Sequence, residues 1–276
     1  MAMIAEQQHV TDEWNTGAVD ITAYLERIGE PRLSPSAEAL HRLHRAHVRT
    51  IPFENVDVVL RSYPGLGLAD IQAKLLHRRR GGYCYEHALL FAAVLERLGF
   101  TVTRYMARVE PTHPGPYTHM MLVVSVDGAD YLADVGFGAG ILEPMPLRED
   151  TEVDQAGWPH RLRREGSGWT LERWAGGRWE PLHAFDPIPS RPVDYEVAHH
   201  YTATHPNSPF VGKPVVMRLD QGRLRKLVGT EFVVETPEGE SGRETVPPER
   251  LGETLRELDV ELTQEELSAL RTELGW

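Results

Sequence analysis

The chain has 276 residues, 41% hydrophobic and 25% charged, enough for a sizeable core and more than one subdomain. Its net charge of −12 argues against a nucleic-acid partner, since phosphate contacts need a basic face. The single cysteine permits no internal disulfide. Neither Met1–Gln7 nor any later run has the pattern of a leader or a span of roughly 18 apolar residues, so a cytoplasmic protein without a membrane partner is expected.

The first hundred residues read as helices. Asp20 can cap Ile21–Ile28, with Gly29 as the stop, and Ser34-Pro35 offers a cap and first-turn proline to a helix carrying Leu40, Leu43 and His47 on one face. Pro52 ends that helix, because the residue before a proline resists the α region. A third helix is expected over Ala69–Arg79, with Ile71 and Leu75 inward. It leads into Arg80-Gly81-Gly82-Tyr83-Cys84-Tyr85-Glu86-His87, which holds the only thiol. The glycine pair permits positive φ and close backbone approach. The run His87–Leu98, apolar apart from Glu96 and Arg97 and stopped by Gly99, then places Cys84 at a helix N-terminus, where unpaired N–H groups and the macrodipole favour an anion. That position suits a nucleophile, although a lone buried cysteine also serves as a small hydrophobe. The basic cluster His77-Arg78-Arg79-Arg80 reads as a solvated helix end.

After Phe100 the period changes to alternation. Strands are expected over Thr101–Val109 and Thr118–Val126, with a return over Ala129–Val135 across an Asp127-Gly128 turn. Further strands follow near Trp169–Trp174 and Trp179–His183, so this middle region is a sheet or barrel. The last third is mixed. Tyr201–Phe210 is polar and turn-rich, Val215–Leu219 and Leu224–Val228 flank Asp220-Gln221-Gly222 as a hairpin, Glu231–Glu235 is a strand, and Thr263 with Glu266 makes a capping box for a final helix.

A thiol nucleophile needs a base and a group that orients the base. With a two-residue turn at Asp127-Gly128, opposed residues have numbers summing to 255, so Met121 faces Asp134 and His119 faces Gly136. His119 and Asp134 are then diagonal neighbours on one face, about 7–8 Å apart at Cβ and within reach of each other. A charged residue facing a core is costly unless paired. A purely structural His–Asp pair would satisfy the same pattern. No Cys-x-x-Cys or His-Glu-x-x-His spacing occurs, and His199-His200 suits chelation poorly, so no metal is expected.

Three ordered segments, Arg80–Glu86, Thr118–Val123 and Tyr131–Gly138, closely resemble the active-site segments of the arylamine N-acetyltransferases. Ile51-Pro52-Phe53-Glu54-Asn55 and Tyr201–Phe210 resemble two further signatures of that family, and the matches span roughly residues 35 to 230. The resemblance implies an α+β fold with a helical bundle (1–100), a β-barrel (101–200) and an α/β lid (201–276), in a papain-like cysteine arrangement. It implies Cys84 as nucleophile, His119 as base and Asp134 as orienter, with acetyl-CoA as cosubstrate and an arylamine or hydrazine as acceptor in a ping-pong reaction. Phe53, Val109 and Phe137 resemble the apolar wall for the amine. Thr118, Gly136, Tyr201, Asn207 and Phe210 resemble positions near CoA, and Glu54 with Arg80 resembles an ion pair bracing the active-site loop. Ala139-Gly140-Ile141 departs from relatives that carry larger or charged residues there. A biosynthetic amide synthase and a papain-like hydrolase are the alternative activities for the same triad. The sequence carries no reading of oligomeric state.

Overall fold

The structure, a computed structural model, describes residues 12–63, 65–78 and 80–276; Met1–Gln7, and Arg79 at the expected end of the third helix, lie outside the described residues. Asp20 caps α1 (Ile21–Ile28) by accepting from the Ala23 N–H, and Gly29 closes it in the left-handed region. The next helix, α2 (Ala37–Thr50), is capped by Ser36 rather than Ser34. The Ser36 hydroxyl stands three residues before the free N–H of Ala39 and accepts from it, so Pro35 precedes the cap instead of opening the helix. After β1 (Phe53–Glu54) and α3 (Val56–Val59), the expected third helix divides into α4 (Leu68–Gln72) and a π-helical turn, Ala73–His77, where Lys74 is carried inward to Glu86. Then comes α5 (Cys84–Leu98), ended by Gly99. Its apolar sequence is explained by burial on nearly every side among Tyr24, Leu40, Leu43, Ile71 and Leu75.

Strands β2 (Thr101–Val109), β3 (His119–Val126), β4 (Ala129–Ala133), β5 (Met145–Pro146), β6 (Thr151–Gln155), β7 (Trp158–Glu165), β8 (Gly168–Ala175) and β9 (Arg178–Pro189) form an antiparallel, barrel-like sheet in the order β5-β4-β3-β2-β9-β8-β7-β6. Strand β3 is buried on both faces. Met120, Leu122 and Val124 join the helical core around α5, while Met121 and Val123 join Leu132, Leu162, Leu171 and Phe185 inside the barrel.

A helix the sequence reading lacks, α6 (Pro192–Thr204), follows; Pro192 opens it, and it extends into the stretch expected to be turn-rich. Strands β10 (Val215–Asp220), β11 (Arg223–Val228), β12 (Glu231–Thr236) and β13 (Gly239–Thr245) then form a second sheet with β1 at its edge. Helices α7 (Leu251–Glu257) and α8 (Gln264–Glu273) cover it through Leu251, Leu255 and Leu270 against Phe232 and Leu227. The fold is the expected α+β arrangement of helices, barrel-like sheet and terminal α/β layer. No helix among the described residues is long and apolar enough to cross a membrane.

Candidate active site

The turn before Cys84 is held by close approach. Neither Gly81 nor Gly82 has a positive φ, which removes one of the two reasons the sequence offered for the pair. A Cβ on Gly81 would lie 1.9 Å from the Pro52 carbonyl oxygen, and one on Gly82 would lie 2.7 Å from the Glu86 carboxylate. Two backbone segments therefore cross where only glycine fits, and Phe53 pairs with Gly82 at the crossing. Gly136 plays the same part from the barrel side, since a Cβ there would stand 2.9 Å from both the Cα and the carbonyl oxygen of Cys84. Cys84 is the first residue of α5 and 4% exposed.

Below this turn lies a buried ionic cluster. Arg80, read from sequence as part of a solvated helix end, is fully buried because acidic partners neutralise it from distant parts of the chain. Its guanidinium reaches Glu54 at 2.8 Å and Asp57 at 2.7 Å, so the expected Glu54–Arg80 pair is present. Lys74 reaches Glu86 at 2.9 Å and Asp57 at 3.0 Å. Burial pushes the Glu86 carboxyl up, against the pull of Lys74. Asp57 is lowered: burial opposes its charge, and Lys74 and Arg80 outweigh the penalty. Glu86 also accepts from the Tyr83 N–H at 3.1 Å, which ties the cluster to the first turn of α5.

The hairpin has the register that the two-residue turn requires. Val126 opposes Ala129 and Leu122 opposes Ala133, with Asp127 at φ 52° and Gly128 at φ 76°. Strand β4 ends one residue before Asp134, whose carboxylate nevertheless reaches back across the diagonal. His119 Nε2–H donates to Asp134 Oδ2 at 2.7 Å, with both residues buried. Burial opposes a charged His119, but the Asp134 carboxylate and hydrogen bonds to Asp134 and Cys84 overcome it and raise the imidazole to about 10. Asp134 is held well below the usual carboxylate range: burial opposes its charge, and His119 and His183 outweigh the penalty. Since Nε2 is occupied by Asp134, Nδ1 of His119 is the atom left to exchange a proton with the thiol. Cys84 Sγ lies 3.7 Å from the Thr118 carbonyl oxygen, which also accepts from the Tyr85 hydroxyl at 2.7 Å.

His183 was not singled out from the sequence. Its Nε2–H donates to the same Asp134 Oδ2 at 3.0 Å, and its Nδ1 is buried without a partner. Burial lowers its affinity for a proton, against the pull of Asp134, which favours the neutral ring as the donor here. The register explains how it arrives. His119 opposes Ala107, Ala107 opposes Phe185, and Val109 opposes His183, so alternation puts His119, Val109 and His183 on one face at the end of the barrel. The ligand atoms of His119, Asp134 and His183 lie within 4.8 Å of one another, as a metal site would require. Two N–H donors converging on one carboxylate oxygen account for that grouping without an ion.

Other predicted residues divide into two groups. Phe137 stands edge-on to His119, ring centroids 5.1 Å apart, and is half-buried. Phe53 is buried against His87 and Phe210, Phe210 meets Tyr83 at 5.9 Å, and Val109 is exposed at the barrel end. Thr118 and Gly136 approach Cys84 itself, Phe137 lies against His119, and Phe53 and Phe210 lie against the Gly82-Tyr83 turn that precedes Cys84. Tyr201 instead stacks on His205 at 4.3 Å, and Asn207 is exposed. A cavity of about 1030 Å³ has none of Cys84, His119 and Asp134 in its wall; Trp14, Leu89, Tyr195 and His199 line it, and His199 is hydrogen-bonded to Tyr83.

A single thiol at a helix start and a histidine bonded to a buried carboxylate, set in an α+β frame, have the composition of a nucleophilic cysteine site. The sequence profile described as N-acetyltransferase matches residues 36–267. An arylamine N-acetyltransferase of Mycolicibacterium smegmatis is 43% identical over 221 residues, covering 75% of this chain and 79% of the relative. The solved arylamine N-acetyltransferase of Mycobacterium abscessus superposes with a TM-score of 0.90 at 37% identity, over 95% of this chain and 97% of that one. The Mycobacterium marinum enzyme, solved in complex with CoA, superposes with a TM-score of 0.84 at 31% identity, over 92% and 98% of the two chains. The chain belongs to the arylamine N-acetyltransferase family and is an acyltransferase.

Proposed function

We propose that this enzyme moves an acetyl group from acetyl-CoA to an aromatic amine or hydrazine through an acetyl thioester on Cys84. The observation that carries the reading is the 2.7 Å His119–Asp134 bond beside the lone thiol, with His119 raised to about 10. The thiolate is the form of a cysteine that attacks, and His119, held by Asp134, is the group placed to take the thiol proton. The thiolate attacks the thioester carbonyl, the bond to the CoA sulfur breaks, and His119 supplies the proton that CoA takes away. The amine then attacks acetyl-Cys84, its proton passes to His119, and the thiolate is released with the amide product. The Cys84 backbone N–H, at the open start of α5, is a candidate donor to the oxyanion.

Phe53, Val109 and Phe137 are assigned to the acceptor, and Thr118, Gly136, Tyr201, Asn207 and Phe210 to the donor. The M. marinum relative's complex with CoA supports the choice of donor. Mass spectrometry after mixing with acetyl-CoA alone tests the route. One acetyl group at Cys84 is expected, and an unmodified thiol would overturn it.

A further inference from the structure

Three buried side chains outside the triad form a hydrogen-bonded chain of fixed polarity. Tyr24 Oη lies 2.9 Å from His47 Nδ1, and His47 Nε2 lies 2.8 Å from His87 Nδ1. His87 Nε2 lies 2.9 Å from the Gly82 carbonyl oxygen and 3.2 Å from that of Pro52. A carbonyl only accepts, so His87 Nε2 carries the proton and, in a neutral ring, Nδ1 is bare. His47 must then donate from Nε2 and accept at Nδ1 from the Tyr24 hydroxyl. Burial keeps both rings neutral, pushing His87 down to about 4 and His47 well below its usual range.

The chain ends at the crossing that carries the nucleophile. Gly82 O also accepts from the Glu54 N–H at 2.7 Å, and Pro52 O from the Gly82 N–H at 3.3 Å. His87 therefore ties both strands of the crossing to the first turn of α5. Its ring also lies parallel to Phe53, 4° between planes and 6.5 Å between centroids. One imidazole thus touches the turn before Cys84 and the aromatic wall assigned to the acceptor.

We infer that His87, oriented by His47 and Tyr24, is a positioning residue for acyl transfer that sets Cys84 relative to Phe53. The inference rests on Cys84 being the acyl carrier. In the full chain, His87→Phe keeps a ring under Phe53 but removes the donor and the acceptor, whereas His87→Gln offers an amide N–H to Gly82 and a carbonyl to His47. The readouts are thermal unfolding, the rate of Cys84 alkylation by iodoacetamide, and kcat and acceptor KM at saturating acetyl-CoA. Folded H87F should alkylate and turn over about tenfold more slowly, with a raised acceptor KM, because small displacements of reacting groups are costly. H87Q should recover most of both rates. Wild-type rates in folded H87F, or equal impairment of folded H87Q, would overturn the inference. Where H87F does not fold, Tyr24→Phe decides: slower alkylation of the folded variant supports the inference, and an unchanged rate overturns it. A wild-type protein that alkylates at Cys84 but takes no acetyl from acetyl-CoA refutes the proposed function alone, and the alkylation series still judges the positioning role.

Discussion

Gly81→Ala isolates the close approach before Cys84. A Cβ at Gly81 would meet the Pro52 carbonyl oxygen at 1.9 Å and its carbon at 2.8 Å, where ordinary contact begins at 3.4 Å. The obstacle is backbone, and that carbonyl already accepts from Gly82 and His87. The two segments must therefore part by about 1.5 Å, the difference between 3.4 and 1.9 Å. Overpacking of this kind costs about 1–3 kcal/mol, and a shift of about 1 Å at reacting groups costs on the order of a hundredfold in rate. The acetylation half-reaction, followed by rapid quench and mass spectrometry, should slow by about that factor in protein that remains folded at the assay temperature. Gly115→Ala is the control, since nothing lies within 4 Å of a Cβ there. A folded G81A that acylates Cys84 at the wild-type rate refutes the close-approach argument.

Asp134→Asn keeps the side chain's shape and removes the charge that raises His119, so kcat should fall by about 10²–10⁴. Alkylation of Cys84 at neutral pH should slow with it, and undiminished rates would show that the charge is unused. Lys74→Met leaves Glu86 and Asp57 without their shared cation in a buried site, at a cost of about 3–5 kcal/mol; a denaturant midpoint within about 0.5 kcal/mol of wild type would contradict the pairing. Stability should fall on both sides of neutrality. His119 rises from 6.5 to about 10 on folding, so its contribution is complete below pH 6.5 and lost as pH climbs through 10. His44 and His87 fall from 6.5 to about 4, so theirs is complete above 6.5 and lost as pH drops toward 4. Urea titrations across pH 4 to 10 check this, and a flat profile would count against both assignments.

The His119–Asp134 pair is legible in sequence because a two-residue turn fixes register over a short hairpin, and alternation then fixes the faces. The limits of α1 and α5 are legible for a similar reason, since cap and stop residues act within one turn. Legibility fails where the deciding contact is distant. Ser34 and Ser36 are equivalent as letters, and only the position of the free Ala39 N–H separates them. Strands β6 and β7 turn the polar side chains of Thr151, Gln155 and His160 inward, which hides their alternation. His183 is one of thirteen histidines. Its place beside Asp134 depends on β2 pairing with β9 across a shift in register between Tyr105 and Ala107, and nothing local encodes that.

Arg80 sharpens the same point. In sequence it closes a basic run at a helix end, where exposure is the cheaper state. In the fold, Glu54 and Asp57 reach it from the crossing segment, and Lys74 joins the shared anions from the π turn. As the proposed acyl carrier, Cys84 must keep its thiol free of locking bonds, so its neighbours must hold it. The cluster fixes the residue four before Cys84 and, through Glu86, the N–H just before it. The neutral chain through His87 fixes the Gly82 carbonyl, and the close approaches at Gly81 and Gly136 leave no room for the backbone to move toward Pro52 or toward the barrel. Ionic, neutral and steric restraints meet at one turn, while among the described residues the Cys84 thiol itself is met by the long contact to the Thr118 carbonyl and by His119.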